Sequence, residues 1–164
     1  MLNSENCDTR PIGIFDSGLG GLTVVKELRK ILPNENIIYY GDTARVPYGS
    51  KSKSKIIEFS KENTDFLLAH NVKLILIACN TSTAAALQEI TDRAGNVPVI
   101  GVIAPGAAAA IAATKNGQIG VIGTTATINS EAYTKHILSL NPQARVYSQP
   151  CPLFVPLVEE GWID

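Results

Sequence analysis

Residues 79 to 83, Cys-Asn-Thr-Ser-Thr, end an apolar run and open an alanine-rich helical pattern. The run is Leu74-Ile75-Leu76-Ile77-Ala78. This order sets a thiol at the C-terminal end of a buried strand, facing the N-terminus of the next helix. Open parallel α/β sheets bind ligands at that edge. A helix N-terminus favours thiolate over thiol, and thiolate is the reactive form. Cys79 is therefore a candidate acid/base group. The alternative is a buried cysteine serving as a small apolar side chain.

Three further loops could carry chemistry. The first strand gives way to Asp16-Ser17-Gly18-Leu19-Gly20-Gly21 ahead of a helix. Glycines there permit close approach of a ligand to backbone N–H groups that favour a carboxylate or phosphate. A dinucleotide fingerprint needs glycine where Thr23 stands, and Asp16 would bring negative charge to a pyrophosphate, so nucleotide binding is disfavoured. Asp16 can instead bind an ammonium group or orient a base, or merely cap the helix. The second loop runs from Gly41 to Ser50, where Tyr48-Gly49 offers a hydroxyl and a backbone amide. Arg45 in that loop either binds a carboxylate or is solvated. The third, Gly123-Thr124-Thr125-Ala126-Thr127, is rich in hydroxyls and amides. It reads as an anion-binding loop or as ordinary N-cap chemistry. Cys151 lies between prolines and reads as structural. His70 and His136 lack partners at metal-ligand spacing.

The elements that must position these residues alternate. Strands are expected at 12–15, 37–40, 73–78, 97–102, 119–122 and 145–148. Helices are expected at 22–32, 51–70, 82–94, 104–114, 130–140 and 154–160. Strands apolar on both faces and separated by helices imply an α/β fold, a parallel sheet flanked by helices. A seam near Ile103-Ala104-Pro105-Gly106 divides a first α/β domain at 11–103 from residues 104–164, expected to be a partial second domain. Residues 1–10 read as a disordered tail. The end, Glu159-Glu160-Gly161-Trp162-Ile163-Asp164, carries no end-of-domain signal, so the chain reads as cut off within a second α/β unit.

The chain has 164 residues, 45% hydrophobic and 18% charged, with a formal net charge of -1. That balance points to no nucleic-acid or anionic-membrane partner. No apolar run approaches the roughly 18 residues of a membrane helix, and the polar start has no signal-peptide core. Three cysteines make no disulfide framework. A cytoplasmic protein with reduced thiols is the expectation.

Taken in order, Asp16-Ser17-Gly18-Leu19-Gly20-Gly21, Pro47-Tyr48-Gly49, Cys79-Asn80-Thr81, Gly123-Thr124-Thr125-Ala126-Thr127 and Phe154-Val155-Pro156-Leu157-Val158-Glu159-Glu160-Gly161 closely resemble the bacterial glutamate racemases. Those belong to the aspartate/glutamate racemases. The resemblance spans Ile12 to about Trp162. It implies two similar α/β domains with the substrate between them. It also implies no cofactor, and interconversion of L- and D-glutamate by two opposed cysteines, supplying D-glutamate for peptidoglycan. Carried over by motif, it makes Cys79 the first catalytic cysteine, assisted by Asp16. Asp16, Ser17, Tyr48, Gly49, Asn80, Thr81, Thr124 and Thr127 then line the glutamate site. Glu159 or Glu160 corresponds to a family acidic residue near the second cysteine. The family's second cysteine lies in a Cys-Thr-His segment that this sequence lacks, so the resemblance implies an inactive, C-terminally truncated chain. An aspartate-specific relative, a non-catalytic glutamate-binding fragment and a nucleotide-binding module are the rival readings. Oligomeric state stays open, a homodimer included.

Overall fold

The structure is a computed structural model that describes residues 8–162. Cys7 and the rest of the expected tail up to it lie outside that range. Residues 8–10 lead directly into the first strand. The Lys73 ammonium donates to the Asp8 carbonyl at 2.7 Å, and the Asn36 amide to the Thr9 carbonyl at 3.2 Å.

Four parallel strands form the larger sheet: β1 (Ile12–Asp16), β2 (Ile37–Gly41), β3 (Leu74–Ile77) and β4 (Val99–Gly101), in the order β2-β1-β3-β4. Every residue of β1 is buried, as a central strand covered on both faces requires. One face carries α2 (Lys53–Ala69) and α3 (Asn80–Ala94), whose Ile56, Leu67, Ala86 and Ile90 pack with Phe15, Ile75 and Ile77. The opposite face carries α1 (Leu22–Ile31), whose Val24, Val25 and Leu28 cover Ile12, Ile14 and Ala78. Ser52 caps α2, its hydroxyl accepting from the Lys55 amide.

Strand order decides where chemistry can sit. From β1 the chain steps outward to β2, then returns across β1 to place β3 on its other side. The loops leaving β1 and β3 therefore diverge to opposite faces and leave a crevice at their C-terminal ends. Asp16 ends β1 and Cys79 follows β3, so both stand at this crevice.

A second parallel pair follows, β5 (Gln118–Gly123) and β6 (Arg145–Pro150). One face packs on α4 (Ile103–Ala113) and α6 (Ala132–Leu140) through Ala107, Ile119, Ile137 and Ala144. The other leaves Ile122 and Tyr147 exposed. The closing helix is α7 (Phe154–Glu159).

Two local features depart from the sequence reading. The helix expected at 130–140 is α6, and a further short helix precedes it where a loop was expected. The short α5 (Thr125–Asn129) is capped by the Thr124 hydroxyl and separated from α6 by Glu131 in the left-handed region at φ 57°. The third loop is thus partly helical. The loop before α2 contains a 3-10 turn, Tyr48–Ser50.

Ile75 is wholly buried in β3, between β1 and β4. Ile75→Ala is expected to cost about 2–5 kcal/mol, the range for emptying a packed aliphatic site. Urea unfolding of the two chains, compared at equal slope, measures it.

Candidate active site

The nine residues singled out in the sequence line one cleft of about 690 Å³, between the C-terminal edge of the larger sheet and the smaller sheet. They are Asp16, Ser17, Tyr48, Gly49, Cys79, Asn80, Thr81, Thr124 and Thr127. Asp16 and Thr127 stand 111 positions apart in sequence and cannot be brought together by local structure, so the fold itself assembles this wall.

Cys79 is buried and forms the N-cap of α3, which begins two residues earlier than the sequence pattern predicts. Its thiol donates to the Ser17 hydroxyl at 3.4 Å. Its sulfur accepts the Ser82 amide N–H at 3.4 Å. The helix N-terminus thus contributes as expected, but it does not win. Burial pushes the thiol up, and the neighbouring Asp16 carboxylate pushes the same way. The Ser17 and Ser82 bonds pull down without cancelling them. Against the expectation of a ready-made thiolate, burial and Asp16 favour the protonated thiol. Sequence shows the helix end but not the carboxylate that the sheet brings beside it.

Asp16 holds its own turn. One carboxylate oxygen accepts the amides of Gly18 at 3.2 Å and Gly21 at 3.0 Å. Gly21 is the N-cap of α1, so the capping reading of Asp16 holds beside any role toward a ligand. A Cβ on Gly21 would meet the Asp16 Cβ at 2.6 Å, so only glycine lets the backbone come this close. The Tyr39 hydroxyl donates to the Gly18 carbonyl at 2.7 Å. Its ionisation is pushed well up, by burial first and then by Asp16, Glu159 and Cys79. Across the cleft, Glu159 of α7 accepts the Leu19 amide at 3.1 Å, while Glu160 is exposed.

Tyr48 lines the cleft, with its hydroxyl bonded within the protein. It is 1% exposed, and its hydroxyl donates to Asp42 and accepts from the Asn63 amide at 3.1 Å. The hydroxyl is committed to a buried network and not offered to a ligand. Arg45 belongs to the same network, paired with Asp42 at 2.6 Å and with Glu62, its guanidinium 4.3 Å from the Phe59 ring centre. Gly49 is buried, and a side chain there would overlap Thr124. That contact is where the two sheets' loops touch most closely.

Three hydroxyls close the junction. Thr81 Oγ1 lies 2.9 Å from Thr124 Oγ1 and 3.2 Å from Thr127 Oγ1, and the last two are 3.0 Å apart. Beside this ring, the Tyr133 hydroxyl donates to Asn80 Oδ1 at 2.7 Å. Sequence reading missed Tyr39 and Tyr133, whose bonds depend on tertiary placement alone. Cys151 lines the same cleft, its amide tied to the Gly123 carbonyl at 2.7 Å. Among the described residues no cluster of three or more His, Cys, Asp and Glu could hold a metal ion, and no helix is long and apolar enough to cross a membrane.

A profile described as Asp/Glu/Hydantoin racemase matches residues 19–153, and the chain belongs to that family. It is 57% identical over 155 residues to glutamate racemase of Neisseria meningitidis, covering 94% of this chain and 57% of that protein. It is also 57% identical over 154 residues to glutamate racemase of Chlorobaculum tepidum, with the same coverage. Its fold matches the crystal structure of glutamate racemase from Francisella tularensis in complex with D-glutamate at TM-score 0.89 and 50% identity, over 96% of this chain and 59% of that one. The chain spans about 57% of the length of the curated relatives it matches.

Two outcomes follow from this geometry. At pH 8, iodoacetamide should label Cys79 more slowly than Cys151, with Cys79 accelerating only above the ordinary thiol range; peptide mass spectrometry reads both. The sign follows from linkage. A thiol whose folded pKa is raised contributes stability below its unfolded value of about 8.5, and loses it as pH climbs through the folded value. Separately, Gly49→Ala should cost about 1–3 kcal/mol through overpacking against Thr124, readable as a lowered melting temperature.

Proposed function

We propose that this chain carries the first half of a cofactor-independent glutamate racemase site, with Cys79 as the thiol that moves the α-proton. The observation that carries this reading is the burial of Cys79 against Asp16 at the mouth of the crevice between β1 and β3. The family membership and the two racemase relatives support it. So does the D-glutamate bound in the Francisella structure. The division at residue 103, a soluble cytoplasmic setting and supply of D-glutamate to the cell wall belong to the same proposal.

The α-hydrogen of an amino acid is very weakly acidic, and its carbanion needs preorganised donors and charges around it. A substrate ammonium beside Asp16 offsets the field that holds Cys79 protonated. Proton removal from the thiol thus becomes easier when substrate arrives and stays hard while the cleft is empty. The thiolate then takes the proton from Cα, and returning it to the same face regenerates the starting enantiomer. Inversion needs a second acid on the other face.

The substrate carboxylates accept hydrogen bonds and cannot donate them. Asn80 and Thr81 at the start of α3 can offer amide N–H groups to one of them. The Thr81, Thr124 and Thr127 hydroxyls now bond one another, so each must turn its hydrogen outward to serve a ligand. Ligand binding at this corner and contact between the two sheets therefore draw on the same three protons.

The sequence holds no Cys-Thr-His segment. The expected result with the 164-residue chain is slow deuterium incorporation at Cα of D-glutamate with configuration retained, abolished in Cys79→Ala. Mass spectrometry reads the isotope and circular dichroism the configuration. Losing one acid/base partner typically lowers the rate about 10²- to 10⁴-fold. Steady conversion of L- to D-glutamate, lost in Cys79→Ala, would instead assign the second thiol to Cys151 or to another copy of the chain. No exchange from either enantiomer, in a chain that melts cooperatively, overturns the reading.

A further inference from the structure

We propose that Ser82 is a positioning residue for Cys79, its hydroxyl a donor held in reserve for the sulfur once the thiol ionises. This deepens the reading of Cys79 as the proton-moving group and rests on it. Ser82 is fully buried, and its Oγ has no hydrogen-bond partner among the described residues. Buried hydroxyls are nearly always paired, so an orphan beside a reactive group calls for an account.

The neighbouring hydroxyls are already engaged elsewhere. Thr83 Oγ1 donates to the Cys79 carbonyl at 2.8 Å, and Thr81 Oγ1 belongs to the hydroxyl ring at the junction. Ser82 is anchored on the sulfur by its own amide at 3.4 Å. In the neutral state the thiol spends its proton on Ser17 Oγ, and the sulfur needs little more than that amide. When the proton leaves, the sulfur becomes a charged acceptor, and charge-assisted bonds to it are about twice as strong as neutral ones. Ser17 then turns its hydrogen inward, and so does Ser82. The S–H proton passes to solvent water, and the rearrangement that follows breaks no further bond: two O–H groups rotate.

The ionisable groups that face Cys79 make neutral donors necessary. Asp16 comes from β1 and Tyr39 from β2, and Glu159 of α7 lines the same cleft beside Tyr39. All three are anionic when ionised, so none stabilises a thiolate. The Ser82 amide already draws the thiol downward, though burial outweighs it.

The test is the pH profile of Cys79 alkylation in the 164-residue chain, read by peptide mass spectrometry with Cys151 as internal reference. Ser82→Ala is expected to raise the Cys79 midpoint by about one pH unit, a roughly tenfold slower reaction at fixed lower pH, with Cys151 unchanged. Its melting temperature should hold or rise, because deleting an unpaired buried hydroxyl is neutral or stabilising. Ser82→Thr, which keeps the hydroxyl, should keep the wild-type midpoint. An unchanged midpoint in Ser82→Ala overturns the proposal and leaves the hydroxyl a mere packing atom. A strongly lowered melting temperature, or failure to fold, overturns it too, since the hydroxyl would then carry a bond in the resting state. No substrate enters this readout. A chain inert toward glutamate defeats the functional reading while the Cys79 profile still decides the role of Ser82.

Discussion

A thiol and a carboxylate share one dry corner of this molecule, and both cannot hold a full charge there without cost. Burial and the Asp16 carboxylate keep Cys79 protonated, while Ser17 and the start of α3 offset part of that. The crevice between β1 and β3 enforces the pairing, because Asp16 ends one strand and Cys79 follows the other. The glycines of the first turn, the tyrosine hydroxyl on Gly18 and the cap on α1 keep the carboxylate in place. The result is a sulfur held in its protonated form while the cleft is empty. Such gating protects a reactive sulfur from oxidation and stray electrophiles, which attack the thiolate.

The second constraint is contact across the two sheets. Gly49 lies flat against Thr124, and three threonine hydroxyls form a closed ring. Tyr133 reaches Asn80, and Glu159 reaches the Leu19 amide. Each contact uses a polar group at the end of a helix or strand, where the backbone leaves donors free. The wall of the cleft and the joint between the sheets are thus made of the same residues. Substitutions at Thr81 or Thr124 will mix effects on binding with effects on how the sheets meet.

Much of this was legible in the sequence because period and punctuation were strong. The apolar run ending at Ala78 and the glycine turn after Asp16 mark strand ends directly, and all six strands fall where the pattern puts them. The helix Thr125–Asn129 was not legible. Its threonines have weak helix propensity, and only the Thr124-to-Thr127 capping spacing hints at it. Strand order was hidden as well, since it depends on which faces pack. That order brings Asp16 to Cys79 and so reverses the thiol's expected state. Tyr48 misled for the same reason. A tyrosine after a loop proline advertises a hydroxyl, yet Asp42 and Asn63 had already claimed it. Local chemistry can be read from local residues, whereas titration and hydrogen-bond allegiance belong to the assembled fold.

The bond from Leu19 to Glu159 joins residues 140 positions apart. Seen from the ribosome, this matters. The glycine turn that carries Asp16 leaves the exit tunnel early, but the carboxylate that finishes it is made 140 residues later. At about 5–20 residues per second, the turn waits on the order of ten seconds without that partner. The nascent larger sheet must therefore stand on its own packing during that interval. Closure of so long a loop is slow on entropic grounds, so full order at the first turn arrives only after Glu159 has emerged and not when the turn itself does.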